Sequence, residues 1–280
     1  MFKKLFRWTL VLLGIIILIG GAYLLTLSPS HDRDWELGHD ELPRIDIVDD
    51  EVTITNLRDF AWTGPFEAEP NYITDTFLLS ELETVDVVIS HFDDFEGLAH
   101  IFLSFGFADE RHVSVSVETR RETHETYSPL RGLFRQYELI YVVGTDRDVI
   151  GVRTGPRDER VYIYRVNASP EQAQEFFTLL AERINHIADT PVFYNTLFTN
   201  CTNEITRRVE RMADVRFPRT YKLLFPGYFH EILHGMAIIP VLETVEETKA
   251  RARVNNDAAD PNDPDYATLI RRSIGIGTEE

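Results

Sequence analysis

Apolar and polar positions alternate with several different periods along this chain. Lys3, Lys4 and Arg7 precede a run from Trp8 to Leu27 in which only Thr9 and Thr26 are polar. About 20 apolar residues suffice to cross a bilayer core, so the run predicts a transmembrane anchor over 8–27. The basic flank, residues 1–7, is expected on the cytoplasmic side, and the rest of the chain outside. A cleaved signal peptide is the competing reading. It fits less well, because its apolar region is shorter and ends in small residues, unlike Ala22-Tyr23-Leu24-Leu25-Thr26.

Residues 28–50 are polar and acidic and read as a spacer. Beyond them the pattern takes period two. Strands are predicted over Glu51–Leu57, Val85–Ser90, Leu98–Phe107, His112–Glu118, Tyr137–Val143 and Val161–Val166. The third and fourth of these flank the polar turn Ala108-Asp109-Glu110-Arg111 and form a hairpin. The period then becomes helical. Ser169 is an N-cap, Pro170 occupies the first helical position and Gln172 closes a capping box. Phe176, Phe177, Leu180, Ile184 and Ile187 recur at helical spacing, and Pro191 ends the helix. A second helix opens at Cys201 or Thr202, with Ile205, Val209 and Met212 on one face. The expected organisation is an α+β domain over 51–247 with an antiparallel sheet and packed helices, followed by a polar, flexible tail over 248–280.

Charge and cysteine usage sharpen this picture. The formal net charge is −18 in 280 residues, which repels nucleic-acid phosphates and argues against a nucleic-acid partner. The chain holds one cysteine, Cys201, so an intrachain disulfide is impossible. An unpaired cysteine in an oxidising compartment calls for a functional explanation.

Cys201 stands at a helix start, where free N–H groups and the helix dipole favour a thiolate. Nucleophilic catalysis also needs a histidine to hold the proton and a third group to orient it. If the hairpin turn centres near Asp109, facing residues have numbers summing to about 218, which sets His100 opposite Glu118. A one-residue slip would move Glu118 to the other face. The plainer alternatives are a buried apolar cysteine, a hydrogen-bonded core histidine and a glutamate paired with an arginine. The same hairpin places His112 opposite residue 106, away from His100. Phe229-His230-Glu231-Ile232-Leu233-His234-Gly235 matches the zinc motif His-Glu-x-x-His. Its helix is short, with Pro226-Gly227 before it and Gly235 at its end, and no third ligand has an evident spacing. No metal and no other cofactor is therefore expected. Arg120, Arg121, Arg131, Arg135, Arg147 and Arg153 could grip an anion, but a solvated face with ion pairs is the favoured reading.

The segments Gly97–Phe107, Ser116–Glu122, Tyr127–Leu130, Gln136–Val142, Asp146–Ile150, Phe193–Leu197 and Asn200–Thr202 together resemble the DUF4105 family, which includes the extracytoplasmic domain of bacterial lipoprotein intramolecular transacylases. Histidine first, cysteine last and an Asn-Cys pair opening a helix also resemble permuted papain-like (NlpC/P60-type) thiol enzymes. The resemblance implies Cys201 as nucleophile and His100 as base; the choice of Glu118 as orienting group comes from the hairpin alone. Asn200, Asn195, Tyr194 and Arg120 join as candidates for substrate contact or support. The implied activity is a membrane-anchored cysteine acyltransferase of the bacterial inner membrane acting on lipoprotein or lipid-linked substrates on its periplasmic side. The alternatives are an envelope peptidase or amidase and a catalytically silent binding module. His112 and His124 depart from the family pattern, and no stretch after the anchor is apolar enough to supply the later membrane spans of the characterised transacylases.

Overall fold

The computed structural model describes residues 2–276. Helix α1 (Phe2–Thr26) contains the apolar run and buries none of its residues. Its 25 residues are long and apolar enough to cross a membrane. At about 1.5 Å per residue it exceeds the ~30 Å hydrocarbon core.

Ten strands follow among the described residues: β1 (Arg44–Val48), β2 (Glu51–Arg58), β3 (Ala61–Trp62), β4 (Ala68–Glu69), β5 (Tyr72–Leu78), β6 (Leu82–His91), β7 (His100–Phe107), β8 (His112–Arg120), β9 (Glu138–Thr145) and β10 (Arg160–Arg165). The main sheet runs β1-β2-β9-β8-β7-β6-β10, with β5 added on β2. The short helices α2 (Asp146–Val149) and α3 (Gly151–Thr154) link β9 to β10. Then come α4 (Pro170–Asp189), α5 (Cys201–Met212), α6 (Phe229–Gly235), α7 (Val245–Ala252) and α8 (Tyr266–Arg272). The architecture is α+β, as expected. The sheet is mixed rather than purely antiparallel, because β2 meets β9 in parallel at Arg58 and Gly144. That pairing places the N-terminal β1-β2-β5 ribbon beside the central hairpins.

Both sheet faces are covered. Along β7, Ile101, Leu103, Phe105 and Phe107 face α4 and its Phe176 and Phe177. Phe102 on the opposite face packs in a second cluster with Val88, Ile140, Val142, Ile163, Tyr266 and Ile270. Helix α4 carries the expected cap: Ser169 accepts from the Gln172 backbone and Gln172 answers reciprocally.

Two stretches differ from the sequence expectation. The spacer contains β1 and a strap over 28–42 that lies against the end of β8. Trp35 bridges to Glu122, and Glu36 N–H donates to the Arg121 carbonyl at 3.0 Å. The region read as a tail contains α8, which closes the second face with buried Tyr266 and Ile270. Arg271 of α8 inserts between Asp86 and Asp146, with N–O distances of 2.8 Å to each. The strap docks through backbone hydrogen bonds and Arg120, which a polar composition conceals, whereas α8 sets a short apolar stripe of Tyr266, Ile270 and Ile274 beside the buried Arg271 ion pairs.

Candidate active site

The β7–β8 register pairs Phe102 with Ser116, Ser104 with Ser114 and Gly106 with His112. Each pair sums to 218, so continuing the ladder outward sets His100 against Glu118. Their side chains do meet, with His100 Nε2 3.3 Å from Glu118 Oε1. Ser116 stands between them, 2.6 Å from His100 Nε2, and donates to Glu118 Oε1 at 2.8 Å. Arg153 of α3 donates to the same carboxylate oxygen at 3.1 Å. The imidazole also stacks on Phe102, centroid to centroid 5.7 Å. The ring is thus held by a π surface, a hydroxyl and a carboxylate.

Cys201 begins α5. Asn200 caps that helix, its Oδ1 accepting from Asn203 N–H at 2.8 Å while its Nδ2 donates to the Thr196 carbonyl at 2.7 Å. Cys201 is 7% exposed, and its thiol lies within hydrogen-bonding reach of His100 and of the Ile101 backbone N–H. His100 is the first residue of β7, so at this strand end a thiol from the α5 side reaches a histidine from the opposite face.

Electrostatics favour an ion pair. Burial opposes the imidazolium, but Glu118 and the Cys201 sulfur outweigh it and raise His100 to about 9. Burial opposes the thiolate as well, yet contact with His100 brings Cys201 below the ordinary thiol range. Glu118 is held well below the usual carboxylate range: burial works against ionisation, and His100 and Arg153 overcome it. Each charge therefore has a neighbour of opposite sign.

The other candidates have distinct placements. Tyr194 is buried near Cys201 and Tyr127, and burial together with the Cys201 charge pushes its hydroxyl well above the ordinary tyrosine range. Asn195 shapes the preceding turn, its Oδ1 accepting from Leu197 N–H at 3.0 Å and Phe198 N–H at 3.1 Å. Arg120 is 1% exposed and committed to the strap, donating to the His39 and Asp40 carbonyls at 2.7 and 3.0 Å and packing over Trp35. That leaves it structural support, with no exposed face for a substrate.

Ser116 was legible in principle, being two residues from Glu118 and on the same strand face. Tyr127 lies in a matched segment without distinguishing spacing. Nothing in the sequence signalled His39, a buried strap histidine that burial keeps neutral, lowered to about 3, in the field of Glu118.

The His-Glu-x-x-His run forms the seven-residue α6. His230 is buried, stacked parallel to Tyr164, with Nδ1 3.0 Å from the Gly227 carbonyl. Glu231 pairs with Lys222. Among the described residues no three His, Cys, Asp or Glu side chains are grouped to hold a metal ion. Three arginines of the charged run are ion-paired: Arg121 with Glu36, Arg147 with Asp59 and Arg153 with Glu118.

No curated protein and no solved structure matches the chain. The Lnb N-terminal periplasmic domain does match it, over residues 68–227. That is more than half of the 280 residues and includes His100, Glu118 and Cys201, so the chain belongs to the Lnb N-terminal periplasmic domain family.

Proposed function

We propose that this protein is a membrane-anchored cysteine acyltransferase of the inner membrane, acting on lipoproteins or other lipid-linked envelope substrates through an acyl-cysteine intermediate. One observation supports it above all: the capped helix start brings the Cys201 thiol to His100, whose far side meets Glu118 at 3.3 Å. The family description and the single apolar helix are consistent with a single-pass membrane protein carrying a periplasmic domain. Chain order, histidine before an Asn-Cys helix start, supports relating the site to permuted papain-like enzymes.

In the proposed reaction the Cys201 thiolate attacks an ester carbonyl of the donor. The tetrahedral oxyanion is stabilised by backbone N–H groups at the start of α5. His100, already protonated, gives its proton to the departing alkoxide, leaving a thioester on Cys201. An acceptor amine then loses a proton to His100 as it attacks the thioester. The amide forms and the thiolate leaves, restoring the ion pair. Glu118 keeps the imidazolium oriented throughout.

The test is incubation of the full chain with acyl-labelled diacylated lipopeptide, comparing wild type with Cys201→Ala. The expected result is hydroxylamine-sensitive label on the wild-type protein and label moved to the acceptor amine, with neither in the variant. Label released only as free fatty acid would indicate a hydrolase. Absence of both acyl-enzyme and product would reject acyl transfer.

A further inference from the structure

We propose that the loops 127–134 and 195–199 form an apolar rim that docks the site mouth on the outer surface of the bilayer holding α1. Four large side chains point outward there: Leu130 is 71% exposed, Phe134 56%, Leu197 42% and Phe198 63%. Single exposed apolar residues are ordinary, but a grouped set on a soluble face marks an interaction surface.

The two loops are one unit. Thr196 Oγ1 donates to the Pro129 carbonyl at 2.7 Å, and Asn195 Nδ2 donates to the Leu133 carbonyl at 3.4 Å. The unit is also joined to the nucleophile, because Asn200 Nδ2 and Asn203 Nδ2 donate to the Thr196 and Leu197 carbonyls at 2.7 Å each. The rim is therefore built onto the first turn of α5.

Chain continuity identifies the bilayer as the occupant. Arg135, directly after Phe134, donates from Nη1 to the Leu24 carbonyl in the last turn of α1 at 2.9 Å. A cation on the free carbonyls of a helix C-terminus is a favourable cap. Four residues beyond Thr26, Ser30 N–H donates to Glu138 Oε1 at 3.1 Å. Four residues of extended chain reach at most ~14 Å, so the first residue of β9 stays close to the membrane end of α1. Glu138 pairs with Arg120, and Glu118 lies two residues along β8, about 7 Å further. The rim and the site are thus tied to the membrane surface, and the rim offers the aromatic and aliphatic side chains that bury in a bilayer interface.

The test uses the full chain carrying Cys201→Ala, reconstituted in phosphatidylethanolamine–phosphatidylglycerol vesicles. A single cysteine is introduced by Phe198→Cys and labelled with an environment-sensitive fluorophore. The comparison site is Ala108→Cys, at the exposed hairpin turn remote from His100. Doping the vesicles with acyl-chain-brominated lipid should quench the label at 198 and leave the label at 108 unquenched. Equal, weak quenching at both positions overturns the proposal. In a second pair, a label at Leu130→Cys should lose its quenching when Leu197→Asp is added. Persistence of that quenching would also overturn the proposal. Because the readout needs no turnover, failure of docking and failure of acyl transfer are separately visible.

Discussion

Glu118→Gln isolates the charge that stabilises the thiolate–imidazolium pair. The side chain keeps its shape and can still hydrogen-bond Ser116 and His100, but the carboxylate 3.3 Å from His100 Nε2 becomes neutral. Burial, which opposes the imidazolium, then lacks its principal counterweight. His100 should fall from about 9 to its ordinary 6.5 or lower. At about 1.36 kcal/mol per pH unit, that is roughly 3 kcal/mol of imidazolium stabilisation, a ceiling on the order of a few hundred-fold on the ion-pair population. Reorientation of Ser116 and entry of water reduce it. A thiol returned to about 8.5 is about 1% thiolate at pH 6.5, so alkylation there should slow about 100-fold. The assay is the pH profile of iodoacetamide modification, followed by mass; the chain has one thiol, so no other cysteine contributes. The wild-type rate should be level from neutral pH down to the lowered thiol pKa. The Glu118→Gln rate should climb with pH as an ordinary thiol does. Equal rates at pH 6.5, or a wild-type profile that climbs only near 8.5, would refute the reasoning.

Asn200→Ala removes the α5 cap and should cost about 1 kcal/mol in urea unfolding, whereas Asn200→Asp should retain most of it. Arg271→Met leaves Asp86 and Asp146 buried without their shared cation and should cost about 3–5 kcal/mol by the same measurement. A loss below 1 kcal/mol would mean that α8 contributes little to closing the sheet. Treatment with a metal chelator should leave acyl transfer unchanged, and iodoacetamide should abolish it. The opposite result would return attention to His230 and His234.

The legible parts of this molecule are those where periodicity and local chemistry agree. Alternation placed β6 to β10 within a few residues of their observed bounds, and Ser169-Pro170-Glu171-Gln172 announced α4 through a cap that forms as written. The β7–β8 hairpin was readable to the register, because a short polar turn between two alternating runs fixes which residues face one another. That register brings His100 and Glu118 together without any alignment. What periodicity could not show is docking by hydrogen bonds. The strap over 28–42 has few apolar residues, and its attachment depends on Arg120, which reads in sequence as one cation in a charged run. In the fold Arg120 donates to the His39 and Asp40 carbonyls and packs 4.2 Å from the centre of the Trp35 ring. It becomes informative only when β8 is seen to carry Ser116, Glu118 and Arg120 at intervals of two. Ser116 and Glu118 then hold the histidine, and Arg120 holds the segment leading back to α1. One strand thus fixes both His100 and the segment leading back to α1. A shift of β8 by one residue would turn all three side chains to the opposite face, separating the site from its acid partner and the strap from its anchor in a single step.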